Sequence, residues 1–104
     1  NVAMNSTRLG LNTIMVATVG NDGFGSYITE RLTSVGINTN HLNVLDDKST
    51  SVIFVSRSEG TPDFIPYRSA DCCIYEEQIS KEILSNTKIF HTTCFIIDFR
   101  NQTD

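Results

Sequence analysis

The chain has 104 residues, 39% hydrophobic and 19% charged, which is enough for one modest folded core and too apolar for intrinsic disorder. Its formal net charge of -4, from 12 acidic against 8 basic side chains, leaves no Lys and Arg cluster to neutralise a phosphate backbone, and its longest apolar runs, at 14–19 and 95–97, fall far short of a membrane span. No nucleic-acid or membrane partner is expected, nothing at the N-terminus resembles a signal peptide, and the expected setting is cytoplasmic.

In chain order, Val2, Ala3 and Leu9 recur at near-helical spacing, and Gly10 follows where a left-handed residue ends a helix, so residues 1–9 are expected as a short helix. Residues 13–19, Thr-Ile-Met-Val-Ala-Thr-Val, form a β-branched apolar run of the kind buried on both faces of a parallel sheet, which predicts a central strand over 14–19. Gly20-Asn21-Asp22-Gly23-Phe24-Gly25 is turn chemistry, and Asp22 is placed to accept a backbone N–H bond and cap the next helix. Phe24, Tyr27, Ile28, Arg31, Leu32 and Val35 then fall at helical spacing, predicting an amphipathic helix ended by Gly36, with Phe24, Ile28 and Leu32 over the sheet. A short strand at 42–45 completes an alternation that is α/β in class, with right-handed crossovers.

The pattern changes after residue 50. Two extended runs, 51–56 and 63–67, flank a loop containing Gly60 and read as a β-hairpin. Pro66 cannot donate to a ladder, which puts the second run at an edge. A hairpin inserted in an α/β alternation reads as a separate flap or lid, here about 50–68. Residues 76–84 are expected as a surface helix, with acids in its first turn, Ile79 and Ile83 on one face with Tyr75 a turn before them, and Asn86 as its stop. Another strand-like run opens at 88–91 and leads through Cys94 to 95–97. Cys72, Cys73 and Cys94 cannot all pair and read as reduced thiols; Cys72-Cys73 has the wrong spacing for zinc, and His41 and His91 stand far off in sequence. Both ends, Asn1-Val2-Ala3 and Asn101-Gln102-Thr103-Asp104, read as cut from a longer chain.

Taken in order, Asn1-Val2-Ala3-Met4-Asn5, Arg8-Leu9-Gly10, Val19-Gly20-Asn21-Asp22-Gly23-Phe24-Gly25, Leu32 with Gly36-Ile37, and then Tyr67-Arg68 and Ala70-Asp71 after the hairpin resemble the ribokinase, or PfkB, carbohydrate kinase family over essentially the whole chain. The resemblance implies a partial Rossmann-like ribokinase core, a parallel sheet with flanking helices, plus a hairpin of the lid. Residues 1–104 would then be an internal fragment of one kinase domain. The family's second signature, Asp-Thr-x-Gly-Ala-Gly-Asp, which supplies the catalytic base and the anion hole, has no counterpart in these residues. ATP and Mg2+ are therefore implied for the full-length parent and not for this fragment, which is expected to be inactive alone. The implied parent activity is transfer of the ATP γ-phosphate to a sugar hydroxyl, fructokinase-like, with a 2-keto-3-deoxygluconate kinase, a nucleoside kinase or a non-catalytic dimerisation fragment as alternatives.

Carried over singly, Asn1 matches the family asparagine whose amide, both donor and acceptor, suits a vicinal diol, although it also stands where a plain helix cap would. Arg68 resembles an arginine that in some branches contacts a substrate carboxylate or hydroxyls; the other reading is a solvated lid-edge arginine. Tyr67 either meets the sugar or packs within the hairpin. Asp22 reads as a cap rather than a catalytic acid, and His91, at an expected strand end facing the cleft, reads as structural for want of a partner. Lids of this family commonly pair between subunits, which implies a homodimer for the parent.

Overall fold

The computed structural model describes residues 1–57 and 59–93. Helix α1 (Val2–Arg8) ends at Leu9, and Gly10 follows with φ 96°, as its place after the helix requires. Strand β1 (Ala17–Gly20) runs parallel to β2 (Leu42–Leu45), Ala17 opposite Leu42 and Gly20 opposite Leu45. The strand is shorter than the apolar run that announced it. Upstream only an isolated parallel bridge joins Ile14 to Asn38, because the partner segment turns between them: Asn40 N–H donates to its neighbour Asn38 Oδ1, and Leu42 N–H donates to Thr39 O at 3.1 Å. Among the described residues β1 has β2 as its sheet neighbour, and of the expected strand Thr18 and Val19 are buried while Ile14 is exposed.

Helix α2 (Gly23–Val35) connects the two strands and packs on α1 and β1. It stops where Gly36 takes φ 101°; Ile37 N–H returns to Leu32 O and Gly36 N–H to Thr33 O, the paired bonds that close a helix through a left-handed glycine. Its inner face is Gly25 and Leu32, with Ile28, Thr29 and Val35 half-buried, while Phe24 is 64% exposed. Leu32 and Ile28 thus lie inward as expected, and Phe24 alone of the three does not. The cause is Gly25: lacking a side chain, it allows the first turn to lie directly on Gly20 and swings Phe24 aside.

Strands β3 (Val52–Ser56) and β4 (Asp63–Tyr67) pair antiparallel from Val52–Tyr67 to Ser56–Asp63, as the sequence indicated. Paired residues share a face, so Val52, Phe54, Ile65 and Tyr67 lie on one side and Ile53, Val55, Phe64 and Pro66 on the other. Both faces are apolar and largely exposed. The buried hydrophobic residues, Val19, Leu32, Ile37 and Ala70, all belong to the α/β layer and the short 3-10 turn Ala70–Cys72 that lies against β1.

The helix expected at 76–84 divides into a 3-10 turn, Glu76–Gln78, and helix α3 (Lys81–Asn86). Ser80 restarts the helix by accepting from Ile83 N–H at 3.2 Å. Gln78 explains the break, since its side chain is drawn inward. Its Nε2 donates to Ala17 O at 2.9 Å and to His41 O at 3.1 Å, and its Oε1 accepts from Tyr75 N–H at 2.8 Å. Residues 88–93 form neither helix nor strand, so the run expected from 88–91 is not a strand there; its continuation at 95–97 and Cys94 lie outside the described residues.

Candidate functional site

The glycine loop between β1 and α2 is closed by one carboxylate. Asp22 Oδ1 accepts from Gly25 N–H at 2.8 Å, capping α2, and also from the Thr50 hydroxyl at 2.7 Å, while Oδ2 accepts from Thr50 N–H at 2.8 Å. Thr50, itself buried, accepts Gly20 N–H at 2.9 Å on the same hydroxyl oxygen. Led by the Thr50 N–H and hydroxyl, these donors hold the Asp22 carboxyl below the usual carboxylate range. Asp22 is thus the cap that its position suggested and, in addition, the link between the loop and the segment entering β3.

This closure explains two of the glycines. A Cβ on Gly25 would stand 2.0 Å from Gly20 O, and one on Gly20 would stand 2.5 Å from Lys48 O and 2.6 Å from Thr50 N. Gly23 has nothing within 4 Å and carries no such demand. An open hollow of about 290 Å³ lies beside the loop, lined by Gly20, Gly25, Glu30 and Val44 among others, and none of Asn1, Tyr67 and Arg68 borders it.

A second cluster stands at the root of the hairpin. Arg68 follows β4 directly, and its Nε donates to Asp71 Oδ2 at 2.9 Å. Asp71 Oδ1 accepts from the hydroxyl of Ser51, the residue before β3, and from Ser69 N–H at 3.2 Å. Ser51 Oγ in turn accepts from Ser69 N–H at 2.7 Å and Asp71 N–H at 3.2 Å. Burial pushes the Asp71 carboxyl up, but the Ser51 hydroxyl, the Arg68 guanidinium and Ser69 N–H outweigh it and leave it below the usual range. The cluster rests on β1, where the buried Thr18 hydroxyl donates to Cys73 O at 2.6 Å.

Of the three residues expected at a sugar site, Asn1 sits exposed at the start of α1, and its side chain makes no cap bond, so it does not act as the plain cap. Tyr67 packs edge-on against Phe54, ring centres 5.7 Å apart, within the hairpin. Arg68 is half-buried in the Asp71 cluster rather than a loose lid-edge cation. Tyr67 and Arg68 are adjacent; their contacts described above run to Phe54 and Asp71, not to Asn1. His91 is exposed and lies on no strand. Thr50, Ser51 and Gln78 carried no sequence signal, since their partners lie 28, 20 and 61 residues away in the chain.

The α/β layer with an appended antiparallel hairpin is the architecture of ribokinase-like sugar kinases. The structure superimposes on Halothermothrix orenii fructokinase with a TM-score of 0.69 at 35% identity, covering 72% of this chain and 27% of that one. It superimposes on a putative Ribokinase II from E. coli, in complex with ATP and Mg2+, with a TM-score of 0.72 at 30% identity, covering 80% of this chain and 27% of that one. In sequence it is 40% identical over 91 residues to the ATP-dependent 6-phosphofructokinase of Thermoanaerobacterium thermosaccharolyticum, 88% of this chain and 28% of that protein. The pfkB family carbohydrate kinase pattern matches residues 1–100, and the chain belongs to that family. It spans little more than a quarter of the length of these relatives.

Proposed function

We propose that these residues form part of the sugar-binding half of an ATP-dependent sugar kinase whose acceptor is a free ketose such as fructose. The family match over residues 1–100 carries this reading. Within it, Asn1 offers an amide donor and acceptor to a pair of hydroxyls, and Arg68 and Tyr67 reach the sugar from the end of the lid hairpin. The uncapped, exposed Asn1 side chain supports this assignment. ATP and magnesium belong to the rest of the kinase. Among the described residues no group of three His, Cys, Asp or Glu stands together as a metal would need. What this portion contributes is binding, orientation and exclusion of water, which dominate phosphoryl transfer.

The hairpin supports a second role in the parent. With Phe54, Ile65 and Tyr67 exposed on one face and Ile53, Val55 and Phe64 on the other, one face is available to the sugar cleft and the opposite face to the lid of a second copy, giving a homodimer. A phosphorylated ketose is the competing acceptor, favoured by the likeness to the Thermoanaerobacterium 6-phosphofructokinase. The test is ADP release by the whole protein with fructose, fructose 6-phosphate, 2-keto-3-deoxygluconate and adenosine. Turnover with fructose at the highest kcat/KM is expected. Turnover confined to the phosphate ester or the nucleoside would replace the acceptor assignment, and no turnover with any of them would remove the kinase assignment. The 104-residue chain alone is expected to release no ADP.

A further inference from the structure

The hairpin leaves the α/β layer through Ser51 and returns through Arg68, the residues just outside the Val52–Tyr67 pair that closes the ladder. Asp71 receives the side chains of both, the Ser51 hydroxyl on one oxygen and Arg68 Nε on the other. Ala70, beside it, is fully buried, and its N–H donates to Ser49 O at 3.0 Å, so the carboxylate is mounted on a fixed turn. One residue upstream of Ser51, Thr50 is tied to Asp22 and Gly20. A continuous run of bonds therefore leads from the glycine loop through Thr50 and Ser51 to Asp71 and reaches the guanidinium of Arg68.

We propose that Asp71 is a positioning residue, one that clasps the two roots of the hairpin and holds Arg68 by its Nε, so that lid and guanidinium are set as one unit against the glycine loop. This rests on the sugar-kinase reading and adds a statement about specificity. A carboxylate 2.9 Å from Nε offsets the charge that Arg68 presents. An arginine so offset acts towards a ligand more as a directed N–H donor than as a charge, which suits the hydroxyls of a neutral sugar better than the carboxylate of a sugar acid.

The test uses the whole kinase with fructose and 2-keto-3-deoxygluconate as acceptors. Asp71→Asn keeps the shape but removes the charge. It is expected to raise KM for fructose about tenfold with a smaller fall in kcat, and to raise the kcat/KM ratio of the acid over the ketose, because removing the Asp71 charge strengthens the pull of Arg68 on an anion. Asp71→Glu should return part of the wild-type ratio. Ser51→Ala should move both quantities the same way by less, and it serves if Asp71→Asn does not fold. In the Asp71→Asn background, Arg68→Ala should cost far less than in wild type. A ratio unchanged in both Asp71→Asn and Ser51→Ala, or additive effects at Arg68 and Asp71, overturns the proposal even where stability falls. If the wild type phosphorylates neither acceptor, the kinase reading fails separately. The clasp is then judged on amide exchange at Ser69 and Asp71, which should quicken in Ser51→Ala; unchanged rates overturn it.

Discussion

Gly25→Ala isolates the contact on which the loop between β1 and α2 depends. The added methyl would lie 2.0 Å from Gly20 O and 3.1 Å from Thr50 Oγ1. The first of these is backbone, so no rotamer change relieves it and the first turn of α2 must lift. Lifting stretches the Gly25 N–H bond to Asp22 and the Thr50 bond to Gly20 N–H, 2.8 and 2.9 Å in the native loop. Overpacking of this kind costs about 1–3 kcal/mol, and a lost cap and a lost hydrogen bond about 1 kcal/mol each. Alanine's preference for helix over glycine offsets about 1 kcal/mol, leaving a net loss of about 2–4 kcal/mol. Gly23→Ala is the matched control, since it lies in the same first turn with nothing within 4 Å, and it should be neutral or stabilising by up to about 1 kcal/mol. Urea denaturation of the whole protein, reading the midpoint at unchanged slope, compares the two. Should both variants fall within about 0.5 kcal/mol of wild type, the close approach of Gly25 to Gly20 is not what shapes this loop.

Three further outcomes follow from the same contacts. Gln78→Ala removes a donor from Ala17 O and His41 O, and it should destabilise by about 1–3 kcal/mol in the same denaturation experiment; a loss under about 0.5 kcal/mol would show that water replaces the amide. Asp22 and Asp71 both have carboxyls held below the usual range, so each adds stability that is present above the ordinary carboxylate pKa and lost as pH falls below about 4 towards the lowered folded value. Unfolding measured against pH should show that acid loss and a shallower one in Asp22→Asn; stability that rises on acidification contradicts the linkage. Asn1→Ala in the whole kinase should lower kcat/KM for the sugar about 10- to 100-fold, corresponding to about 1–3 kcal/mol of lost hydrogen bonding, and intact kinetics for every sugar tested would withdraw Asn1 from the site.

Local chemistry made much of this fold legible. The helix ended by Gly10, the capped helix after Asp22, the stop at Gly36 and the hairpin each follow from residues within a few positions of one another. What escaped depends on distant partners. Phe24, unlike Ile28 and Leu32, turns away from the sheet because helical periodicity scores side chains, and here the closest approach is made by a residue without one, Gly25. The helix expected at 76–84 starts later because Glu76 and Glu77 only look like its first turn, while Gln78 is claimed by the carbonyls of Ala17 and His41, 61 and 37 residues away in the chain. At the candidate site, Arg68 stands out through its resemblance to a family arginine after the hairpin, and Asp71 lies only three residues from it, but Ser51, which bonds Asp71 from 20 residues away, joins them only when the hairpin closes.

The central claim, that this stretch of chain carries part of a sugar site, is tested most directly by amide hydrogen exchange on the whole kinase with and without fructose. Saturating sugar should slow exchange at the start of α1 around Asn1 and along residues 63–71, where Arg68 and its clasp lie, with smaller change in α3. Unaltered exchange in both segments, in a protein that binds and phosphorylates fructose, would place the sugar elsewhere and contradict the account.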